Sequence, residues 1–434
     1  MTTSSKPSSG GFAIHPLRDA VLGEVHARPF TPLTTPSRVL HFGFVADAEQ
    51  AVADRAALVA WCRARSLTEP SPQAKHHRAT VDGVTLSWEQ HTEFVTYTWQ
   101  AATRSVKGDP FGDAGDLTGW MEGLPQPGPL MVAIDLALQG EAPKALDVFD
   151  IAFLSASLVN EDAALIASDF RADKRGRVRI LVQDRALTPM MAGALVQRLI
   201  EIETYRSFAL LGLPEAQRVG PLVRHIEQEL TRIAQEMTAT EGLAANQKLL
   251  DELTGLAAAL EAEAAMSAYR FGASRAYAEI VKQRLVVINE VRIKGLPTFQ
   301  SFLDRRMAPA MRTCNTIVER QADLSRKLTR AANLLRTRVD VELERQNRDL
   351  LAAMNDRARM QLRLQQTVEG LSVAAIGYYV VSLFGYIAKG AKDSGRLAIE
   401  PGVATALFVP VAILAVWWAV RRVRKSHSGE PPPG

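Results

Sequence analysis

Two uncharged apolar runs near the C-terminal end, Leu371 to Ala388 and Gly402 to Val420, hold 18 and 19 residues. As helices rising about 1.5 Å per residue, each is just long enough to cross the apolar core of a bilayer. The polar segment between them, Lys389 to Pro401, is short, so the two spans form a hairpin with both ends on one side. Arg357, Arg359 and Arg363 precede the first span, and Arg421, Arg422, Arg424 and Lys425 follow the second. The connecting loop has Lys389, Lys392 and Arg396. Basic residues gather on the cytoplasmic side of a membrane, which puts both chain ends there. Trp417 and Trp418 beside the basic tail fit an interfacial aromatic belt on that side.

The first span is not uniformly apolar. Ser372, Ala375, Tyr379, Ser382 and Tyr386 follow at spacings of 3, 4, 3 and 4 and so share one helix face. Hydroxyls facing acyl chains are costly, and such a face calls for a partner helix or for water. It is therefore a candidate helix-packing face or the lining of an aqueous path.

Between Pro309 and Gly370 the chain has neither proline nor glycine and is rich in Arg, Leu, Gln, Glu and Ala, which predicts one helix running to the membrane. Its apolar residues recur mostly 3, 4 or 7 apart, in the manner of a coiled-coil stalk, with Gln346, Arg357 and Gln361 interrupting the seam. Upstream, Pro189 to Gly212, Pro214 to Gly242, Leu243 to Arg270 and Ala273 to Lys294 read as shorter helices separated by glycine-containing breaks. Arg198, Glu201 and Arg206 read there as solvated or interhelical charges.

Towards the N-terminus the period changes to two. Arg38 to Ala46, Gly83 to Gln90, Glu93 to Ala101 and Pro129 to Leu138 are β-branched or aromatic runs bounded by turn residues, and Ala163 to Asp184 reads as a hairpin. A helix over Ala48 to Arg65 sits among them, with Ala51, Val52, Ala56, Val59 and Ala60 as its apolar side. The expected fold class is α+β. A disordered start (1–14) leads to a mixed α/β cytosolic domain (15–186), a helical region (187–308), the stalk (309–370), the first span (371–388), a periplasmic loop (389–401), the second span (402–420) and a basic cytoplasmic tail (421–434). The Ser/Thr/Gly-rich start has no apolar core of a secretory signal.

Composition excludes some functions. Lys plus Arg outnumber Asp plus Glu by 51 to 47, with no basic block longer than the tail cluster, so nucleic acid is not an expected partner. The two cysteines, Cys62 and Cys314, are far apart and outside any metal-ligand spacing, and read as buried reduced thiols. GxxxxGK[ST], GxGxxG after a strand, HExxH and GxSxG are all missing. No catalytic residue, cofactor or metal set is assigned, and an enzyme is not expected. The densest polar cluster is His15, Arg18, Glu24, His26 and Arg28, able to meet a metal or an anion only if a turn or strand gathers it. His76 and His77 read as an exposed loop. Asp109, Asp113 and Asp116 lack EF-hand spacing.

The segments HPLRDAVLGEVHARPF, SASLVNEDAALIASDFRAD, AGALVQRLIEIETYRSFALLGLP, RFGASRAY, LLRTRVDVELERQNRDLL and QLRLQQTVEGLSVAAIGYY together resemble a family of bacterial membrane-anchored proteins classed as a domain of unknown function. The resemblance covers nearly the whole chain and implies cytosolic bulk with a C-terminal anchor in the bacterial inner membrane. The layout alone is similar to CorA-type magnesium channels, whose first span ends in a Gly-Met-Asn signature. Here Gly385-Tyr386-Ile387 is the nearest match and has no Asn. The expected role is an oligomer anchored in the lipid bilayer that presents a cytosolic scaffold, sensor or interaction module to a protein partner. The alternative is a CorA-like cation channel lined by the first span.

Overall fold

The computed structural model describes residues 15–18, 21–22, 30–103, 109–112, 126–142, 144–393, 395 and 399–427. The chain divides into two compact units, residues 1–238 with 251–332 and residues 239–250 with 333–434.

The first unit is built on one mixed sheet. Its strands are β1 (Ser37–Val45), β2 (His76–Val81), β3 (Val84–Gln90), β4 (Phe94–Ala102), β5 (Leu130–Gly140), β6 (Ser155–Val159), β7 (Ala164–Ser168), β8 (Val178–Asp184) and β9 (Val291–Arg292), in the order β2-β3-β4-β1-β5-β8-β7-β6-β9. All neighbours pair antiparallel except β5 and β8. The expected strands are present, and the α+β class with two apolar C-terminal helices holds. His76 and His77 are not in a loop: they open β2, where His77 pairs with Trp88.

Helix α1 (Ala48–Ala64) starts at a capping box, with the Asp47 carboxylate accepting from the Gln50 N–H and the Gln50 side chain accepting from the Asp47 N–H. It covers Leu40, Phe42, Leu86, Trp88, Val95, Tyr97 and Trp99, one face of the β1–β4 half-sheet. Its buried side is Ala51, Asp54, Leu58, Trp61 and Cys62, whereas Val52 is 61% exposed. Alanines on both sides blurred the apolar face in the sequence, and the large Trp61 and Leu58 decide it.

Helix α2 (Pro189–Leu210), capped by Thr188 with proline at its first turn, covers the opposite face. Its core includes Val281, Leu285 and Ile288 of α4 (Leu243–Ile288) and Phe299, Phe302 and Leu303 of α5 (Phe299–Asp393). α3 (Gly212–Ala239) is tied to α4 by Arg218–Glu263 and Arg232–Glu252, and to α5 by Arg320–Glu227.

One helix break expected from the sequence is absent, and one helix starts earlier than expected. Gly272 lies inside α4, where a glycine costs about 1 kcal/mol, and the fully packed Phe271 beside it offsets that cost. Pro309 does not start the long helix, which begins at Phe299 because Phe299, Phe302 and Leu303 are buried. The Glu290 carboxylate accepts the Phe299 and Gln300 N–H groups at 2.7 and 2.8 Å, satisfying that helix start.

In the second unit, α5 passes through Gly370 without a break and α6 spans Pro401–His427. Both hold segments long and apolar enough to cross a membrane, with 11% and 6% of those segments buried. They meet at Phe384, stacked on Phe408 of α6 at 3.9 Å, and at Gly385, beside Thr405, with Ala388 on α5 and Ala412 and Val416 on α6 buried.

Candidate functional site

The two faces of the β1–β4 half-sheet differ in chemistry because strand side chains alternate. On β4, Val95, Tyr97 and Trp99 point to α1, while Phe94, Thr96, Thr98 and Gln100 point to α2. β1 offers Val39 and His41 to the α2 side, β3 offers Ser87 and Glu89, and β2 offers Arg78. Strand pairing sets Arg78 opposite Ser87, Ser87 opposite Thr98 and Thr98 opposite His41, a polar row across four strands. Between this row and Gly193, Gln197, Glu201 and Thr204 of α2 lies a cavity of about 100 Å³.

His41 is at its floor and 5% exposed. Its Nδ1 is 2.7 Å from the Thr98 Oγ1 and its Nε2 is 3.1 Å from the Thr204 Oγ1. A hydroxyl can donate or accept, so the two threonines satisfy a neutral ring in either tautomer. Burial pushes the imidazole down to about 3, which keeps it uncharged at neutral pH. At the rim, Arg78 Nε donates to the Ser87 Oγ at 3.3 Å, and His91 Nε2 lies 3.6 Å from the Glu89 carboxylate. Glu201 accepts from Gln197 at 3.1 Å and pairs with Arg284 of α4.

His91 stacks on Phe94 at 4.1 Å, and Phe94 stacks on Phe208 at 4.1 Å. This aromatic wall separates the first cavity from a second of about 420 Å³, lined by Asp47, Lys75, Gln90, His91, Tyr205 and Tyr277. Burial and the Glu93 carboxylate raise the Tyr277 phenol far above its usual range, and Glu93 is held in turn by Arg270. His91 is thus shared by two cavities, one floored by neutral hydrogen-bonding groups and one rimmed by charge.

Chemically, the arrangement suits recognition. Hydroxyl, amide and imidazole groups that can each donate and accept face one partly open cavity, bounded by an arginine and two carboxylates. Cys62 Sγ is 3.7 Å from His77 Nε2 on the far side of the sheet, but burial raises the thiol and lowers the imidazole, the reverse of a thiolate–imidazolium pair. Both cysteines are buried and unbridged. Among the described residues, no group of three or more His, Cys, Asp or Glu is placed to hold a metal ion.

The residues singled out from the sequence lie elsewhere. His15 is exposed and accepts from the Leu17 N–H at 3.2 Å, Arg18 is exposed, and Glu24, His26 and Arg28 fall outside the described residues. Ser372, Ala375, Tyr379 and Tyr386 are exposed and Ser382 is half-buried. The Ser372 hydroxyl donates back to the Val368 carbonyl at 2.9 Å. Of the helix charges, Glu201 is interhelical, Arg206 pairs with Glu203 on its own helix, and Arg198 lies over the Phe30 ring. Sequence reading missed His41, Thr98 and Thr204. The alternation in EFVTYTWQA was a signal for Thr98, since a strand with Val95, Tyr97 and Trp99 on one face and Thr96, Thr98 and Gln100 on the other has a polar side to account for.

The fold and site define a mixed α/β protein with a polar cavity between sheet and helix, long helices, and two helices able to cross a membrane. The chain belongs to the family described as "Protein of unknown function (DUF3422)", whose family model matches residues 13–427. Neither the curated proteins nor the solved structures yield a match, which leaves the CorA-type layout without support.

Proposed function

We propose that this protein is a membrane-anchored sensor whose α/β unit binds a small polar molecule in the cavity between the β1–β4 half-sheet and α2. The observation that carries the reading is the two-faced half-sheet. The same four strands are apolar under α1 and mostly polar under α2, and polar side chains gathered around a concave cavity, with His41 buried at its floor, suit a small polar occupant. The anchor rests on the apolar segments of α5 and α6, which are long enough to span a bilayer and nearly unburied. The distribution of Arg and Lys supports an orientation with the α/β unit in the cytoplasm.

The reading is tested by thermal unfolding of the full chain in nanodiscs against a panel of small polar metabolites, comparing wild type with Thr98→Val. A ligand at about 100 times its Kd stabilises by about 2.7 kcal/mol, so a true occupant raises the wild-type Tm and leaves the variant unmoved. A panel that shifts both proteins equally places binding elsewhere, and one that shifts neither counts against a sensor for this class of molecule.

A further inference from the structure

From residue 343 to residue 368 every side chain of α5 is exposed. This stretch nevertheless carries Leu350, Met354, Leu364 and Val368, each more than half exposed. A water-exposed helix with an unburied apolar stripe has little to stabilise it alone, because helices in water owe most of their stability to packing such a face.

The stripe is straight and does not stop at the membrane segment. Leu343, Met354, Val368, Ala375, Tyr379 and Tyr386 follow at steps of 11, 14, 7, 4 and 7. A step of seven turns a position back by about 20° and a step of four turns it forward by about 40°, so the row stays on one face over 43 residues. That length is about 65 Å at the rise of an α-helix. The opposite face carries Arg345, Arg359 and Arg363 in the stalk, then Gly377, Val381, Phe384 and Ala388, of which Phe384 stacks on Phe408 of α6, while the neighbouring Gly385 lies beside Thr405. The chain's own second span therefore covers the side away from the stripe.

We propose that the stripe is the interface between parallel copies of this chain, packed helix against helix from the stalk into the membrane. The stretch beyond Leu371 rests on the membrane-anchored reading above. The occupant has to be apolar and long-chained where the stripe is Leu, Met and Val, then small or hydroxyl-bearing at the level of Ala375 and Tyr379. A second α5 changes character at that same level. Copies inserted in one bilayer share one orientation, so water-facing stripe meets water-facing stripe only in parallel. Parallel symmetry also sets Gln361 against Gln361 and Tyr379 against Tyr379, letting each interruption of the seam hydrogen-bond its own kind, as polar seam residues do to fix register. Ala375 is small enough for the close backbone approach that membrane helices use. Arg357, at the edge of the stripe, has a stem long enough to lie along the seam with its guanidinium in water.

The test is oxidative crosslinking of the full chain in native membranes, with single cysteines on the stripe (Met354→Cys, Ala375→Cys) and on the opposite face (Arg363→Cys, Val381→Cys). Cys62 and Cys314 are buried and leave a low background. Disulfide-linked dimers from both stripe positions and from neither opposite position support the interface. Equal crosslinking on both faces, adducts of another mass, or no product from the stripe would overturn it. Alkaline carbonate washing of the same membranes separates the two ideas, since a chain that washes off defeats the anchor and a retained chain without stripe crosslinks defeats only the interface. Leu350→Glu gives an independent readout by native mass spectrometry in nanodiscs: loss of the oligomer at unchanged unfolding of the α/β unit is expected, and a wild type that is monomeric sinks the proposal.

Discussion

His41 shows how much one buried side chain can report. Its imidazole is held neutral, so the folded state refuses a proton that the unfolded state takes up below the ordinary histidine pKa. With the folded value about 3 against 6.5, the stability of the neutral ring is whole above about pH 6.5 and is lost as pH falls from there towards about 3. The slope is about 1.4 kcal/mol per pH unit in that window. Asp54, raised by burial among Trp88 and Tyr97, works with the opposite sign and cancels when two proteins sharing it are compared. Melting curves of wild type and His41→Asn at pH 7.5 and pH 5 should therefore diverge, the wild type losing about 2 kcal/mol more on acidification. Parallel losses would mean that His41 is accessible to protons. On the α1 side of the sheet, Arg38 and Asp135 form a buried pair, 6% and 2% exposed, in which Arg38 also donates to the Pro110 and Phe111 carbonyls. Asp135→Ala leaves that guanidinium buried without its carboxylate, and a loss of about 3–5 kcal/mol is expected in chemical unfolding. Neither pair was legible beforehand, because sequence shows which residues share a strand face but not which strands become neighbours.

At the scale of elements, the cavity depends on how closely the segment before β1 lies on α2. Leu33 donates its N–H to the Pro189 carbonyl at 2.9 Å, and a Cβ added at Gly193 would stand 1.9 Å from the Thr31 carbonyl oxygen. That oxygen belongs to the backbone, so Gly193→Ala has to push residues 31–33 off the helix. A destabilisation of about 1–3 kcal/mol is expected, with hydrogen exchange rising at the Leu33 amide and staying unchanged in β7 and β8. An alanine variant as stable and as protected as wild type would show that the segment is not held there. Period-two and helical patterns were strong enough to place most strands and every long helix. What they misplaced were boundaries decided by tertiary burial, as at Gly272 and Pro309, and the short strands β2, β6 and β9, whose few residues carry too little alternation to stand out.

For the whole molecule, the chemistry of the C-terminal hairpin makes a claim about sidedness. Leu371 to Ala388 and Gly402 to Val420 are uncharged, and the Arg421 and Arg422 guanidiniums lie over the Trp417 and Trp418 rings at 4.8 and 5.1 Å from the ring centroids. In a hairpin that crosses a membrane, an aromatic belt with cations stacked on it would lie at the membrane–water boundary. The neighbouring cluster of four basic residues favours the cytoplasm, and Lys389, Lys392 and Arg396 are the weaker group across the hairpin. The resulting expectation is that, in intact cells, a membrane-impermeant maleimide labels Asp393→Cys at the hairpin turn and fails to label Ser426→Cys in the tail until the membrane is opened. Replacing Arg421, Arg422, Arg424 and Lys425 by serine removes the difference in positive charge that sets the direction, so a mixture of the two labelling patterns should follow. Labelling of the wild-type tail in intact cells would invert the hairpin, and with it would go the placement of the His41 cavity on the cytoplasmic side.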